Sequence, residues 1–241
     1  MRYLALASDY DGTLADHGTV RSSSIAALRR LAASGRKLIL VTGRELDDLR
    51  LVFPEHELFQ RIVAENGALL YDPATRESRA LGEPPPPEFI AALRESGVDP
   101  LFVGASIVAT VQPHDAVVLR MIRSLGLQMQ VIYNREAVMV LPSGVNKGTG
   151  VRVALAELRV SPAETVGVGD AENDRALLGA CGCGVAVGNA IASLKECADL
   201  VVSEPDGKGV EQLIERMLFD DLLGIEPRAS RCADPENAAG A

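Results

Sequence analysis

Short apolar runs alternate with stretches whose apolar residues recur three and four apart. Residues 3–8 form a continuous apolar run that stops at Asp9, the pattern of a strand buried on both faces. Ser22-Ser23-Ser24 offers an N-cap for a helix carrying Ile25, Leu28 and Leu31 on one face and closed by Gly35. Residues 38–41 read as the next strand, a helix runs from about Glu45 to near Pro54, and residues 62–64 read as a third strand. Residues 69–71 and 78–81 pair as a hairpin around Asp72-Pro73. The opening is therefore βαβαβ.

Pro84-Pro85-Pro86-Pro87 breaks this rhythm, because a stiff polyproline segment continues neither strand nor helix. Between it and Leu141 the pattern reads helix (88–96), strand (101–103), strand (106–111), helix (115–125), strand (127–133) and strand (137–141). Such an αββαββ unit suits a small antiparallel sheet with both helices on one face. After Pro142-Ser143-Gly144 the βα alternation resumes: helix 148–158, strand 165–168, a helix near 174–178, strand 185–187, helix 191–198, strand 200–202 and a last helix 210–223. The expected fold is α/β: a doubly wound parallel-sheet (Rossmann-like) core of residues 1–83 and 142–225, with a small inserted α+β unit at 84–141. Residues 226–241 lack an apolar period and are expected to form a disordered tail.

With 47% hydrophobic and 24% charged residues, the chain has the apolar material for a real core. The formal net charge of -9 argues against nucleic acid as a partner, which requires a basic footprint. No apolar run approaches the roughly 18 residues of a membrane span. The stretch before Asp9 is too short for a signal peptide. Cys181, Cys183, Cys197 and Cys232 are too few and too clustered for a disulfide framework, and a reducing cytoplasm is the expected compartment. Cys181-Gly182-Cys183 has no second paired motif to complete a soft-metal site.

Three expected strand ends carry polar groups, and a doubly wound sheet gathers its chemistry at that edge. Asp9-Tyr10-Asp11-Gly12-Thr13 follows the first strand, with the i, i+2 spacing turning both carboxylates the same way. Thr42-Gly43-Arg44 follows the second, and Gly169-Asp170-Ala171-Glu172-Asn173-Asp174 follows a strand beyond the insertion. Asp9, Asp11, Asp170 and Asp174 brought together would repel one another or recruit a cation, and hard oxygen ligands favour Mg²⁺. Any one of these motifs alone is an ordinary turn; Gly167-x-Gly169 also resembles half of a dinucleotide loop, although no full G-x-G-x-x-G is present. Thr42 has a second reading as a helix N-cap, Arg44 as an ion-pair partner of Asp47 or Asp48, and Asn66 as a turn residue before Gly67. Among the histidines, only His114 in the insertion is a substrate-contact candidate.

Taken jointly, these motifs and Lys147, which enters a helix just after the insertion, resemble the haloacid dehalogenase superfamily of phosphohydrolases. The match is to the Cof-type branch, whose cap is inserted between the second and third motifs. Further matches are Glu65-Asn66-Gly67-Ala68, residues 184–190 and residues 206–210. The resemblance implies a phosphatase of a small phosphorylated metabolite, a sugar phosphate or a phosphoglycolate-like acid, with Mg²⁺ as cofactor. It implies Asp9 as nucleophile, Asp11 as general acid and base, and Asp9, the Asp11 carbonyl, Asp170 and Asp174 around the metal. Thr42, Gly43, Lys147 and Asn173 would hold the phosphoryl group, and Arg44 and Asn66 are candidates for substrate contact. A phosphomutase on the same site and a phosphoacceptor signalling domain are the alternatives. The natural substrate, the cap residues that select it and the oligomeric state are left open.

Overall fold

The computed structural model describes residues 1–227; Cys232 and the expected tail from residue 228 onward lie outside the described residues. In chain order the regular elements begin with β1 Ala5–Asp9, α1 Ser22–Ala33, β2 Lys37–Val41, α2 Leu46–Val52, β3 Arg61–Ala64, β4 Leu69–Asp72 and β5 Glu77–Ala80. The insertion holds α3 Pro87–Glu95, β6 Phe102–Val103, β7 Val108–Val111, α4 Asp115–Ser124, β8 Met129–Asn134 and β9 Ala137–Pro142. The chain then continues through α5 Lys147–Leu158, β10 Thr165–Gly169, α6 Arg175–Ala180, β11 Cys183–Ala186, α7 Ala192–Cys197, β12 Leu200–Val201 and α8 Asp206–Phe219.

The larger sheet runs β12-β11-β10-β1-β2-β3-β4-β5, parallel from β12 to β3 and antiparallel across β4 and β5. All five residues of β1 are buried, as a continuous apolar run between two helical layers requires. From β1 the chain first winds to one side, through β2 and β3, and later returns to build β10, β11 and β12 on the other. β1 therefore stands at the point where strand order reverses, where α/β sheets open a crevice at their carboxyl ends. Register fixes what meets there. Asp9 pairs with Val41, and Ser8 pairs with Val168, so Thr42 and Asp170 emerge on either side of Asp9. Among the described residues no helix is long and apolar enough to cross a membrane.

Most helices start within about one residue of expectation; α1 differs in its cap and α8 by more. α1 begins at Ser22 with Arg21 in the N-cap position and no side-chain cap; the Ser23 and Ser24 hydroxyls instead donate to Glu211 Oε1 on α8, both at 2.7 Å. Tertiary partners thus draw away the hydroxyls that the serine run seemed to offer its own helix. α8 begins at Asp206, four residues early, and ends at Phe219; its first turn lies close to Leu14 and Ser24, and Gly207 leaves room for that approach. Leu28 and Leu31 of α1 are fully buried, each contributing about 1.5–3 kcal/mol of apolar burial.

The inserted sheet runs β6-β7-β9-β8, antiparallel throughout. Its period-2 alternation gives it two apolar faces. Val108 and Val140 pack under Phe89 and Leu93 of α3 and Val118 and Ile122 of α4. Ile107, Met139 and Leu141 face the other way and cluster with Ala68 of the core. The two connecting segments run side by side, since a Cβ on Gly82 would stand 2.9 Å from the Pro142 ring. The molecule is thus an α/β Rossmann-like core with a small α+β cap.

Candidate active site

Four of the residues singled out from sequence converge on the carboxyl edge of β1 and β10. Lys147, 1% exposed at the start of α5, donates from Nζ to Asp9 Oδ1 and to Asp174 Oδ1, both at 2.6 Å. Asp174 Oδ2 accepts the amides of Asp170 at 2.9 Å and Ala171 at 3.1 Å, so the loop after β10 is folded around that carboxylate. Gly169 makes this possible, because a Cβ there would stand 2.5 Å from the Asp174 Cβ. The Gly167-x-Gly169 pattern therefore serves close packing; Gly167 likewise has Cys181 against it. Thr13 Oγ1 donates to Asp170 Oδ1 at 3.1 Å.

Asp9, Asp170 and Asp174 each offer one buried carboxylate oxygen within 4.8 Å of the others. Burial first, and then the neighbouring Asp174, push the Asp9 carboxyl well above the ordinary carboxylate range, against the pull of Lys147. The same two causes raise Asp170, opposed by Arg135 and Thr13. For Lys147, burial acts to lower the pKa, but Asp174 and Asp9 outweigh it and hold the ammonium charged above its usual range. Asp9 Oδ2 is buried and has no hydrogen-bond partner. Three clustered buried carboxylates, one of them with an unpartnered oxygen, are the donor set of a hard divalent cation, and these residues fit one.

Asp11 is placed differently. Its carboxylate lies outside the cluster of three and is clasped by Arg44, whose Nε and Nη2 donate to Oδ2 and Oδ1 at 2.7 Å each. Arg44 also reaches Asp48 at 2.6 Å and lies over the Tyr10 ring. The expected pairing on its own helix is thus present, together with a stronger one across the site. Thr42 is buried, its Oγ1 accepting the Arg44 amide at 3.1 Å. Gly43 lies beneath the cap, with the Met139 methyl 3.3 Å from where a Cβ would stand. Asn173 Nδ2 donates to Asn66 Oδ1 at 3.0 Å, leaving Asn66 Nδ2 and Asn173 Oδ1 buried without partners.

Sequence reasoning overlooked two residues that join the cap to this edge. Arg135, between β8 and β9, donates from Nη2 to Asp170 Oδ2 at 2.6 Å. Glu65, after β3, is buried and accepts the amides of Ala105 at 3.0 Å and Ser106 at 2.9 Å. The available signals were an arginine in a two-residue hairpin link and a glutamate ahead of Asn66. His114 sits at the N-cap of α4 with Nε2 3.0 Å from the Asp99 carbonyl, a local role within the cap. Burial pushes the free Cys181 and Cys183 thiols up to about 12 and about 11, and neither belongs to a metal-ligand cluster among the described residues.

Comparisons with known proteins identify the family. The family model described as haloacid dehalogenase-like hydrolase matches residues 6–108 and 120–214. The chain is 30% identical over 224 residues to a phosphoglycolate phosphatase of Methanothermobacter thermautotrophicus, covering 89% of this chain and 98% of that protein. It is 31% identical over 230 residues to phosphoglycolate phosphatase 1 of Saccharolobus solfataricus, covering 90% and 97%. Among solved structures, a phosphatase of the haloalkanoate (HAD) enzyme superfamily from Bacteroides thetaiotaomicron superposes with a TM-score of 0.73 at 22% identity, covering 89% of this chain and 94% of that one, a likeness of fold. With the family model covering most of its length and relatives aligned almost end to end, the chain belongs to the haloacid dehalogenase-like hydrolases.

Proposed function

We propose that this protein is a Mg²⁺-dependent phosphatase that hydrolyses a small phosphorylated metabolite, a phosphoglycolate-like acid or a sugar phosphate, through an aspartyl-phosphate at Asp9. The observation that carries this reading is the buried Asp9 carboxylate, clustered with those of Asp170 and Asp174, with one oxygen on Lys147 and the other unpartnered. The activity named for the relatives at 30% and 31% identity supports the acid as substrate.

A carboxylate attacks an anionic phosphate only where negative charge is cancelled first. Mg²⁺, held by Asp9, Asp170, Asp174 and the Asp11 carbonyl, would supply that cancellation at the phosphoryl oxygens. Lys147 adds a fixed positive charge and holds Asp9 in place. An Asp9 oxygen bonds to phosphorus as the bond to the leaving oxygen breaks, and Asp11 gives that oxygen its proton. Asp11 then takes a proton from water as the water oxygen bonds to phosphorus and the Asp9–phosphorus bond breaks. Arg44 occupies both Asp11 oxygens, so the first step requires this clasp to open as substrate enters. The Thr42 hydroxyl, the Gly43 amide and the Asn173 side chain line the phosphoryl position.

Phosphate release from 4-nitrophenyl phosphate and from a panel of phosphorylated acids and sugars, with Mg²⁺ and with EDTA, tests the reading. Hydrolysis should vanish in D9N and under chelation. A D9N variant with wild-type turnover would overturn it, and an isomerised product without free phosphate would make the chain a mutase.

A further inference from the structure

Arg135 occupies an unusual place. It lies in the two-residue link between β8 and β9, whose strands pair up to Asn134 and Ala137. Its φ of +53° is in the left-handed region that such links normally fill with glycine or asparagine. Holding arginine there costs about 1–2 kcal/mol. The link is anchored by the Arg135 amide, which donates to Glu172 Oε2 at 3.2 Å. Its guanidinium then reaches back across the site to Asp170.

Several observations bear on what this side chain does. Arg135 is 59% exposed while its partner Asp170 is 1% exposed, so the cation is open to an incoming ligand from the solvent side. Of the four arginines between residues 84 and 141, Arg94, Arg120 and Arg123 lie on α3 and α4, and the segment has no lysine. Those helices cover the sheet face turned from the core, whereas the face toward the core carries Ala109, Ile132, Ala137 and Met139. Arg135 is thus the cap's cation at the edge of a roof that also carries the uncharged Gln130 and Asn134. Beside it, Asn134 Oδ1 is buried without a partner. An Asp170 oxygen committed to a cation is a weaker acceptor for Arg135, whose planar fork of donors is matched by a carboxylate.

We propose that Arg135 is the residue by which the cap selects substrates bearing a carboxylate close to the phosphoryl group. The guanidinium exchanges Asp170 for that carboxylate when the site is loaded. This rests on the phosphatase reading and adds to it the group that reads the substrate.

The test compares wild type, R135G and R135K on 2-phosphoglycolate and on ethyl phosphate, which has the same carbon skeleton length without the carboxylate, both with Mg²⁺. Glycine suits the left-handed backbone, so R135G retains the hairpin, as circular dichroism and Tm will verify. The ratio of kcat/KM for phosphoglycolate over ethyl phosphate should fall at least tenfold in R135G, mainly through KM. R135K should restore it only in part, because an ammonium lacks the fork. Independently of turnover, calorimetric titration with Mg²⁺ alone should show R135G binding several-fold more tightly, since a cation competing for Asp170 is gone. An unchanged ratio, or unchanged Mg²⁺ affinity, overturns the exchange. Wild type that hydrolyses ethyl phosphate, 4-nitrophenyl phosphate or a sugar phosphate but not phosphoglycolate overturns it while leaving the phosphatase reading intact; release of phosphate from none of them overturns both.

Discussion

Replacing Lys147 by methionine isolates the electrostatics of the site from its chemistry. The methionine keeps an unbranched apolar stem in the buried channel, but removes the ammonium that both Asp9 and Asp174 contact at 2.6 Å. Two charge-assisted hydrogen bonds are lost, each worth about 1.5–3 kcal/mol, and two buried carboxylates are left facing each other. The expected cost is about 3–5 kcal/mol, the range found when a buried ion pair loses one member. With an unfolding entropy of about 2 cal/mol/K per residue, a chain of this length should lose about 6–10 °C in Tm. The loss should also depend on pH. Without the ammonium, the folded-state pKa of Asp9, already raised, climbs further above its unfolded value of about 3.9. A group raised on folding contributes stability that is complete below its unfolded pKa and disappears as pH rises through its folded pKa. The deficit of K147M relative to wild type should therefore be largest at pH 8 and shrink toward pH 5. Wild type shares the trend at Asp9, but Lys147 counters it. Urea unfolding of both proteins at pH 5, 6.5 and 8 in EDTA measures this. A deficit below about 1 kcal/mol at pH 8, or one that does not change with pH, would refute the assignment of Lys147 as the charge holding these carboxylates together.

Three further outcomes are expected. Mg²⁺ at a hundredfold excess over its Kd should stabilise the protein by about 2.7 kcal/mol, a rise of about 5 °C in a thermal melt that EDTA reverses; no shift would count against a cation at Asp9, Asp170 and Asp174. G12A should lower Tm by several degrees and cut hydrolysis at least tenfold, because φ is +79° and the new Cβ would stand 2.6 Å from Asp170 Oδ2. E65A strips the acceptors from the Ala105 and Ser106 amides, at about 1–3 kcal/mol for the buried Ser106 amide and less for that of the exposed Ala105. Hydrogen exchange should show these two amides losing protection before the strands of the larger sheet do.

The parts of the fold and site legible in the sequence are those that short-range pattern controls. An unbroken apolar run before Asp9 can only be a strand covered on both faces, and each polar motif directly follows such a run. The alternation of elements then places those motifs on one sheet edge before any distance is known. Contacts set by the placement of the cap on the core were not legible. Arg135 at a hairpin tip reads as a solvated charge, and only the docking of β8 and β9 above β10 brings it to Asp170. Glu65 reads as a turn residue until its two partners arrive from the loop before β7. The bond from Arg44 to Asp11 lies wholly within the core and was hidden because it joins the ends of two different strands. The serines at 22–24 show the converse: a strong local capping signal goes unused, and Ser23 and Ser24 turn instead to a glutamate on α8.

The side-by-side passage of the chain at Gly82 and Pro142 has a topological meaning. The chain leaves the core and returns to it at nearly the same point, so the intervening residues add almost no span that the core must bridge. An insertion with adjoining ends can be exchanged for another of different size without moving the strands that carry Asp9, Thr42 and Asp170. The architecture thus separates two rates of change. The strands that end in the aspartate cluster are tied into the central sheet, while the cap leaves and rejoins it through one narrow stalk and is free to diversify.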